Sequence, residues 1–368
     1  MKITAAVTRD AASPFTVEQL DLEAPREDEV LVRISGVGLC HTDIACRDQI
    51  VPVPLPIVLG HEGSGIVEQV GSAVTGLAPG DPVVLSFASC GACANCGEEF
   101  PGYCDSFMPL NFAGVRGDGT GALSAGGEPV SSHYFGQSSF ASHALANRRN
   151  VIKVRKDAPL EILGPLGCGV QTGAGSIMQA LECEAGSSLL ILGGGSVGLS
   201  AVLGAVVQGC ETIVVSEPMA ARRKLALELG ATHAIDPLRV EEFAAAVRDV
   251  QPGGVEYILD TSGKTAVINA AVGALQHRGT LGLVGVPASL DDAALPVDVT
   301  NLLVLGHRIQ GIIEGDVDPA TFIPRMVNLH MEGRFPFDRL ISRYPLLEIN
   351  KAVDDQHEGV CIKPVLVP

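Results

Sequence analysis

Hydrophobic and polar positions change rhythm along the 368-residue chain. Up to about residue 90, short runs such as Val30-Leu-Val-Arg-Ile-Ser35 and Gly65-Ile-Val-Glu-Gln-Val-Gly71 alternate or run apolar between glycines, the pattern of strands. Pro52, Pro54 and Pro56 mark an extended loop, and residues 76–85 read as a turn feeding another strand. Residues 105–150 are rich in glycine and serine and read as irregular loops returning to a strand near 139–146. From 186 to about 313, apolar runs alternate with helical periods. Candidate strands lie at 188–192, 212–216, 233–235, 255–259, 280–284 and 308–313, with helical segments such as 220–229 and 240–248 between them. That alternation predicts an α/β fold with a doubly wound parallel sheet. The tail, 314–368, mixes both rhythms and is expected to pack back on the first domain.

One window imitates a membrane span. Residues 185–210 carry no charge and are long enough to cross a bilayer, but glycines at 186, 193, 194, 195, 198, 204 and 209 punctuate them. A buried strand, turn and helix explains the window better. Lys2, Arg9 and Asp10 stand where a secretory signal needs its apolar core, so no export and a cytoplasmic location are expected. The formal net charge of −17, with no basic run longer than Arg222-Arg223-Lys224, argues against nucleic acid or an anionic membrane as partner.

Two clusters carry chemistry. After the strand 188–192 comes Gly193-Gly-Gly195-Ser196-Val197-Gly198, the strand, tight turn and helix start of a dinucleotide site. Glu217 follows Gly198 by nineteen residues, where an acid accepts hydrogen bonds from the adenosine ribose and repels a 2′-phosphate. That points to NAD, although Arg222 and Arg223 stand close enough in sequence to serve a phosphate. The second cluster is cysteine. Ten cysteines in a chain of this kind suggest metal before disulfides. Cys90, Cys93, Cys96 and Cys104 fall within fifteen residues, with the spacing of a closed four-thiolate zinc lobe; an iron–sulfur cluster competes because it takes the same ligands. Full thiolate coordination leaves no open position, which makes this lobe structural. Cys40, His61 and Cys168 together offer the three-ligand set of a zinc site that keeps one position for substrate.

With these residues placed, the chain resembles the zinc-containing alcohol dehydrogenases of the medium-chain dehydrogenase/reductase family. The resemblance rests on Gly60-His61-Glu62, the four-cysteine lobe, Cys168, the glycine turn, Glu217 and Gly359-Val-Cys-Ile-Lys363. Within the family, residues 134–140 and 161–175 look most like aryl-alcohol (benzyl alcohol) dehydrogenases. The resemblance implies a GroES-like catalytic domain over 1–169 and 314–368, carrying the lobe at 90–104, and a Rossmann domain over 170–313. It implies two Zn2+ ions: Cys40, His61 and Cys168 hold the catalytic one, which Glu62 can approach, and Cys90, Cys93, Cys96 and Cys104 hold the structural one. Asp43 is expected to orient His61, and Thr42 to take the alcohol proton. Thr172 would lie by the nicotinamide, His41 and Lys363 would face the pyrophosphate, and Gly193, Gly195, Ser196, Val197, Gly198, Glu217, Arg222 and Val284 complete the NAD contacts. Cofactor and metal are expected to share one cleft. A homodimer or homotetramer paired through the sheet end near 280–313 is also implied.

The implied reaction is the reversible NAD-dependent oxidation of aromatic or allylic primary alcohols to aldehydes. A glutathione-dependent formaldehyde dehydrogenase shares both metal sites, but its anionic substrate wants a basic pocket residue that the sequence does not identify. A general primary alcohol dehydrogenase remains open. A zinc-free quinone reductase conflicts with the three catalytic ligands, and a non-catalytic relative with the complete set of ligands and glycines. One position departs from the family: liver-type members place a relay histidine three residues after the proton-accepting hydroxyl, where this chain has Ala45. Installing that group, Ala45→His, should therefore change the pH profile of alcohol oxidation. A profile superimposable on that of the parent enzyme would show that position 45 takes no part in moving the proton.

Overall fold

The computed structural model describes residues 1–287, 293–295 and 297–368. The chain divides into two units, one of Met1–Gln171, Asp318–Gly333 and Asp338–Pro368, the other of Thr172–Val317 and Arg334–Phe337. Residues 288–292 and 296, within the sheet end expected to pair, lie outside the described residues.

In the first unit the strand Glu29–Gly38 is the axis. Along one edge it pairs antiparallel with Gly63–Val70, from Val30 opposite Val70 to Val37 opposite Gly63. Its other edge is shared between His143–Asn147 and the C-terminal strand Lys363–Val367, with Val365 opposite Gly38. This register brings together residues distant in sequence. The axial strand ends just before Cys40, its partner starts just after His61 and Glu62, and Gly38 N–H donates to the Glu62 carbonyl at 3.0 Å. The tail thus joins this sheet, through Lys363–Val367 and its parallel neighbour Ile341–Pro345. A second sheet runs Ile57–Val58, Lys2–Thr8, Thr16–Leu22, Leu123–Ala125, Glu128–Val130, and the core between includes Leu20, Val30, Val32, Leu59 and Phe140. The 3-10 turn Gly164–Gly167 delivers Cys168 against these strands. The approach is so close that a Cβ on Gly164 would lie 2.0 Å from the Glu62 carbonyl oxygen.

The second unit holds a six-stranded parallel sheet in the order His233–Ile235, Thr212–Ser216, Ser188–Leu192, Val255–Asp260, Leu275–Leu283, Arg308–Gly311. That is the doubly wound order, reversing at Ser188–Leu192. Ser188–Leu192 is buried at every position, which is why it reads as one apolar run and does not alternate. Helices Ser196–Gln208, Ala220–Glu228, Phe243–Val250 and Thr265–Val272 intervene, and Val247 and Ile268 pack with Leu190, Val214 and Ile258. The segment predicted as helix from 240 begins only at Phe243, because Glu242 adopts extended φ/ψ as its N-cap. The loops predicted over 105–150 contain more order than expected. Phe107–Phe112 is a helix, and Leu123–Ala125 pairs with Glu128–Val130 across a two-glycine turn with φ of +58° and +93° at Gly126 and Gly127.

A buried ion pair fixes the start of the axial strand. Arg116 Nε donates to Glu29 Oε1 at 2.6 Å and its terminal nitrogen to Oε2 at 3.2 Å, while His133 and the Arg26 N–H add bonds to the same carboxylate. Burial resists ionisation of Glu29, but the bonds from His133 and Arg116 prevail and hold it at about 2, below its ordinary 4.5. The stabilisation is therefore present above pH 4.5 and lost as pH falls toward 2. Glu29→Gln leaves a buried guanidinium half-paired, a loss of about 3–5 kcal/mol, and should lower Tm at neutral pH by roughly 10 °C. Calorimetry should show the gap to the parent protein narrowing as pH falls below 4.5; a gap independent of pH would remove the charge on Glu29 as its cause.

Candidate active site

Cys40, His61, Glu62 and Cys168 come together in the first unit, their ligand atoms all within 4.8 Å of one another. Asp43 organises them. It is fully buried on the helix His41–Arg47, one turn beyond Cys40. Its Oδ2 accepts the Cys40 N–H at 2.9 Å, and its Oδ1 accepts from the Gly60 N–H at 3.2 Å and His61 Nδ1 at 2.8 Å. A carboxylate can only accept, so Nδ1 carries the proton and Nε2 the lone pair. That Nε2 is buried without a hydrogen-bond partner among the described residues.

The ring of His61 is gripped as well as oriented. Phe135 stacks on it with centroids 4.4 Å apart, and Tyr134 meets it edge-on at 5.6 Å. The turn that carries both rings is strained: His133, Phe135 and Ser138 have φ of 60°, 50° and 54°. Gln137 holds the turn in place, donating to the His61 carbonyl at 2.9 Å and the Ser86 carbonyl at 3.1 Å while accepting from Gly63 N–H at 3.1 Å. None of these contacts is periodic, so residue types alone did not reveal them.

The electrostatics suit a cation. A hydrogen bond with Cys168, aided by Lys363 and His61, holds the Cys40 thiol well below its ordinary value against the effect of burial. Burial disfavours a charged His61, yet Asp43 and Cys40 carry it well above its ordinary value. An imidazole lone pair beside a thiol that ionises readily is a pair of donors that a divalent cation would use. Two thiolates, an imidazole lone pair and one remaining position are the donor set of a tetrahedral zinc site that binds substrate. The fit is good.

Glu62 and Lys363 form a buried pair behind the cluster. Lys363 Nζ lies 2.7 Å from Glu62 Oε1 and 2.6 Å from Oε2, and Oε1 also accepts the Gly169 N–H at 3.0 Å. Burial pushes the Glu62 carboxyl up; the lysine keeps its charge because Glu62 and Cys40 offset its own burial. A Cβ on Gly38 would fall 1.9 Å from Glu62 Oε2, so the pair requires glycine there. The resemblance implied that Lys363 faces a pyrophosphate; the structure gives its ammonium, 1% exposed, to Glu62. Thr42 Oγ1 lies 3.7 Å from Cys40 Sγ, and His41 is exposed at the first position of the helix.

The sulfurs of Cys90, Cys93, Cys96 and Cys104 likewise lie within 4.8 Å of one another. Backbone N–H groups of Ala92 and Cys93 donate to Cys90 Sγ, bringing that thiol down to about 6, and Cys90 N–H donates to Cys104 Sγ at 3.2 Å. Burial pushes Cys96 up to about 12. The four cannot all ionise unaided, and a metal would supply the missing charge.

In the second unit, Gly193 takes φ +108° and a Cβ on Gly198 would meet its carbonyl at 2.0 Å, whereas a Cβ on Gly195 would meet nothing within 4 Å. The open space over Gly195, ahead of the helix that Ser196 and Val197 begin, leaves room for a phosphate at a helix N-terminus. Glu217 is buried and accepts from Gly194 N–H and Met219 N–H, both at 2.8 Å. Arg223 pairs with Asp236 at 3.1 Å, while Arg222 Nε is buried without a hydrogen-bond partner among the described residues. Thr172 Oγ1 donates to Glu314 at 3.4 Å, and Val284 N–H to the Asp260 carbonyl at 3.0 Å.

Comparison with known proteins agrees with this geometry. Residues 26–156 match the alcohol dehydrogenase GroES-like domain and residues 196–330 the zinc-binding dehydrogenase domain. The chain is 53% identical to a geraniol dehydrogenase of Castellaniella defragrans over 364 residues, 99% of this chain and 97% of that protein. It superposes on a benzyl alcohol dehydrogenase from Acinetobacter calcoaceticus with TM-score 0.96 at 43% identity, covering 100% and 99% of the two chains. An alcohol dehydrogenase zinc-binding domain protein from Burkholderia ambifaria gives 0.98 at 51%, with the same coverage. The chain belongs to the zinc-containing alcohol dehydrogenases of the medium-chain dehydrogenase/reductase family, with a GroES-like and a Rossmann-type domain. Zinc and a nicotinamide dinucleotide are the cofactors of such an enzyme. Among the described residues no helix is long and apolar enough to cross a membrane.

Because Asp43 fixes the tautomer and orientation of His61, Asp43→Asn should weaken zinc binding by about 10- to 100-fold. Competition with a chelating dye measures this directly. Zinc affinity equal to that of the parent would assign Asp43 to folding alone.

Proposed function

We propose that this enzyme interconverts primary alcohols and aldehydes whose carbinol carbon adjoins an sp2 carbon, that is, benzylic and allylic substrates, using NAD. The observation that carries it is the Cys40, His61 and Cys168 set with the rings of Phe135 and Tyr134 packed on its imidazole. Phe112 extends that aromatic wall, 5.1 Å from Phe135 and 6.0 Å from Tyr134. Geraniol is an allylic and benzyl alcohol a benzylic primary alcohol, so the names of two relatives support one class of substrate. Loss of hydride leaves positive character on the carbinol carbon, which an adjacent π system delocalises.

Cys40, His61 and Cys168 would hold the catalytic zinc, and Cys90, Cys93, Cys96 and Cys104 a structural one. When bound, the catalytic ion supplies a Lewis acid that brings the pKa of a hydroxyl toward neutrality. The chain's own residues do the rest. Thr42 accepts the alcohol proton, and since Ala45 has no titratable group, the proton goes on to solvent without a side-chain relay. Asp43 keeps the His61 lone pair in place, and Lys363 restrains Glu62 from competing for the ligand set. The glycine turn and the first N–H groups of Ser196–Gln208 receive the pyrophosphate, with Thr172 and Val284 near the nicotinamide. Glu217 meets the ribose, disfavouring a 2′-phosphate despite the guanidinium of Arg222.

A second copy of this chain is the proposed partner. Val299, Leu303 and Val304 are 71%, 80% and 72% exposed, an apolar face just before Arg308–Gly311, which stands last in the strand order of its sheet among the described residues. A reducing, cytoplasmic location suits the thiolate ligands.

The test is kcat/KM for benzyl alcohol and geraniol beside ethanol and S-hydroxymethylglutathione, with NAD and again with NADP. Benzyl alcohol and geraniol should exceed the other two by at least about tenfold, the contribution of little more than 1.4 kcal/mol of differential transition-state binding, and NAD should exceed NADP. A preference for ethanol or for the glutathione adduct would leave the dehydrogenase and remove the substrate class.

A further inference from the structure

The carboxyl ends of the parallel strands in the second unit form one row in register. Leu192 stands opposite Ser216 on one side and Asp260 on the other, Asp260 opposite Leu283, and Leu283 opposite Gly311. Ligands of open parallel sheets bind just beyond this end. The chain there presents Glu217, Gly193, Thr261, Val284 and, past the last strand, residues 312–314. In the proposed cofactor site, Glu217 and the glycine turn take the adenosine ribose and the pyrophosphate. The other half of a dinucleotide then runs the opposite way along the row, over Val255–Asp260 and Leu275–Leu283, toward the turn that carries Glu314.

That turn holds a carboxylate in a fixed place. Glu314, Gly315 and Asp316 have φ of 53°, 74° and 55°, three left-handed residues in succession. Asp316 braces them: its carboxylate accepts the Ile313 N–H at 3.2 Å and Gln310 Nε2 at 3.4 Å, and Gln310 Nε2 also donates to the Ala180 carbonyl at 3.2 Å. Gly175 packs so close that a Cβ there would lie 2.8 Å from the Gly315 carbonyl oxygen. Glu314 is buried, and its Oε2 accepts from the hydroxyl of Thr172, also buried, at 3.4 Å. The turn thus brings a carboxylate to the residue that the proposed function puts beside the nicotinamide. The nicotinamide ring is a cation before it accepts hydride and neutral afterwards. A buried anion beside it is little screened and therefore distinguishes the two forms, whereas a side chain that only shaped the pocket would hold both alike.

We propose that Glu314 sets the cofactor site's preference between redox forms: its carboxylate stands beside the nicotinamide ring and holds NAD+ more tightly, relative to NADH, than a neutral side chain would. The inference rests on the proposed NAD site. In alcohol oxidation the carbinol C–H bond breaks, its hydrogen and electron pair form a C–H bond on the ring, and the hydroxyl proton leaves by way of Thr42. The ring loses its charge in that transfer. The attraction to Glu314 is therefore present while substrate is being oxidised and gone when the reduced cofactor has to leave.

Dissociation constants of the zinc-loaded enzyme for NAD+, NADH and ADP-ribose, from calorimetry and NADH fluorescence, test this. Glu314→Gln keeps the length of the side chain and an oxygen for Thr172 but removes the charge. It should raise the ratio of the NAD+ constant to the NADH constant by at least about tenfold. The constant for ADP-ribose, which lacks the ring, should stay at the parent's value, and this also identifies folded material. Glu314→Asp, which keeps the charge on a shorter stem, should move the ratio less than Glu314→Gln does. A ratio equal to the parent's in Glu314→Gln, or one factor of weakening common to all three ligands, would overturn the proposal and leave the NAD site standing. Failure of the parent to bind ADP-ribose would instead remove the cofactor site itself, and the proposal with it.

Discussion

The carboxylate of Asp43 is the constraint on which the Cys40, His61 and Cys168 cluster depends. Its two oxygens accept from Cys40, Gly60 and His61, three residues on two stretches of chain, and it is sealed from water. A buried carboxylate is costly unless its lone pairs are used, and here the groups that use them are two metal-ligand residues and the turn before one of them. Stability and catalytic geometry consequently draw on the same bonds. Loosening the orientation of His61 would also leave a charge buried without partners.

The remaining groups extend the same logic outward. His61 is held at its far nitrogen by Asp43, on its face by Phe135 and on its edge by Tyr134, which leaves Nε2 as the one atom of the ring still to be satisfied. The strained turn that supplies the rings is itself braced by Gln137. Behind the cluster, Lys363 hydrogen-bonds Glu62 Oε1 and lies within ion-pair distance of Oε2, so a carboxylate stands beside the candidate ligands without being free to collapse onto them.

Much of this was legible in the residue pattern, for physical reasons that also explain the rest. Strands of a parallel sheet covered on both faces appear as unbroken apolar runs ended by glycine, and Ser188–Leu192, Thr212–Ser216 and Val255–Asp260 are of that kind. Cysteine and histidine spacing pointed to the residues that the fold gathers into two clusters. The short helix Phe107–Phe112 was invisible because ring contacts of Phe107 and Phe112 with Phe135 secure it, and these depend on tertiary structure, not on periodicity. The hairpin across Gly126-Gly127 did carry a local signal, two glycines between short extended segments. Lys363, expected to face the pyrophosphate, instead meets Glu62, a partner 301 residues away in sequence and beyond the reach of any spacing rule.

That separation orders events during synthesis. Cys40, His61, Glu62 and Cys168 are all synthesised well before the cation that restrains Glu62, which sits on the strand Lys363–Val367. Until that strand inserts beside Glu29–Gly38, the carboxylate has no lysine and the sheet has an open edge next to the thiols. A nascent chain can therefore gather the four candidate ligands long before the lysine arrives to hold Glu62 back from them.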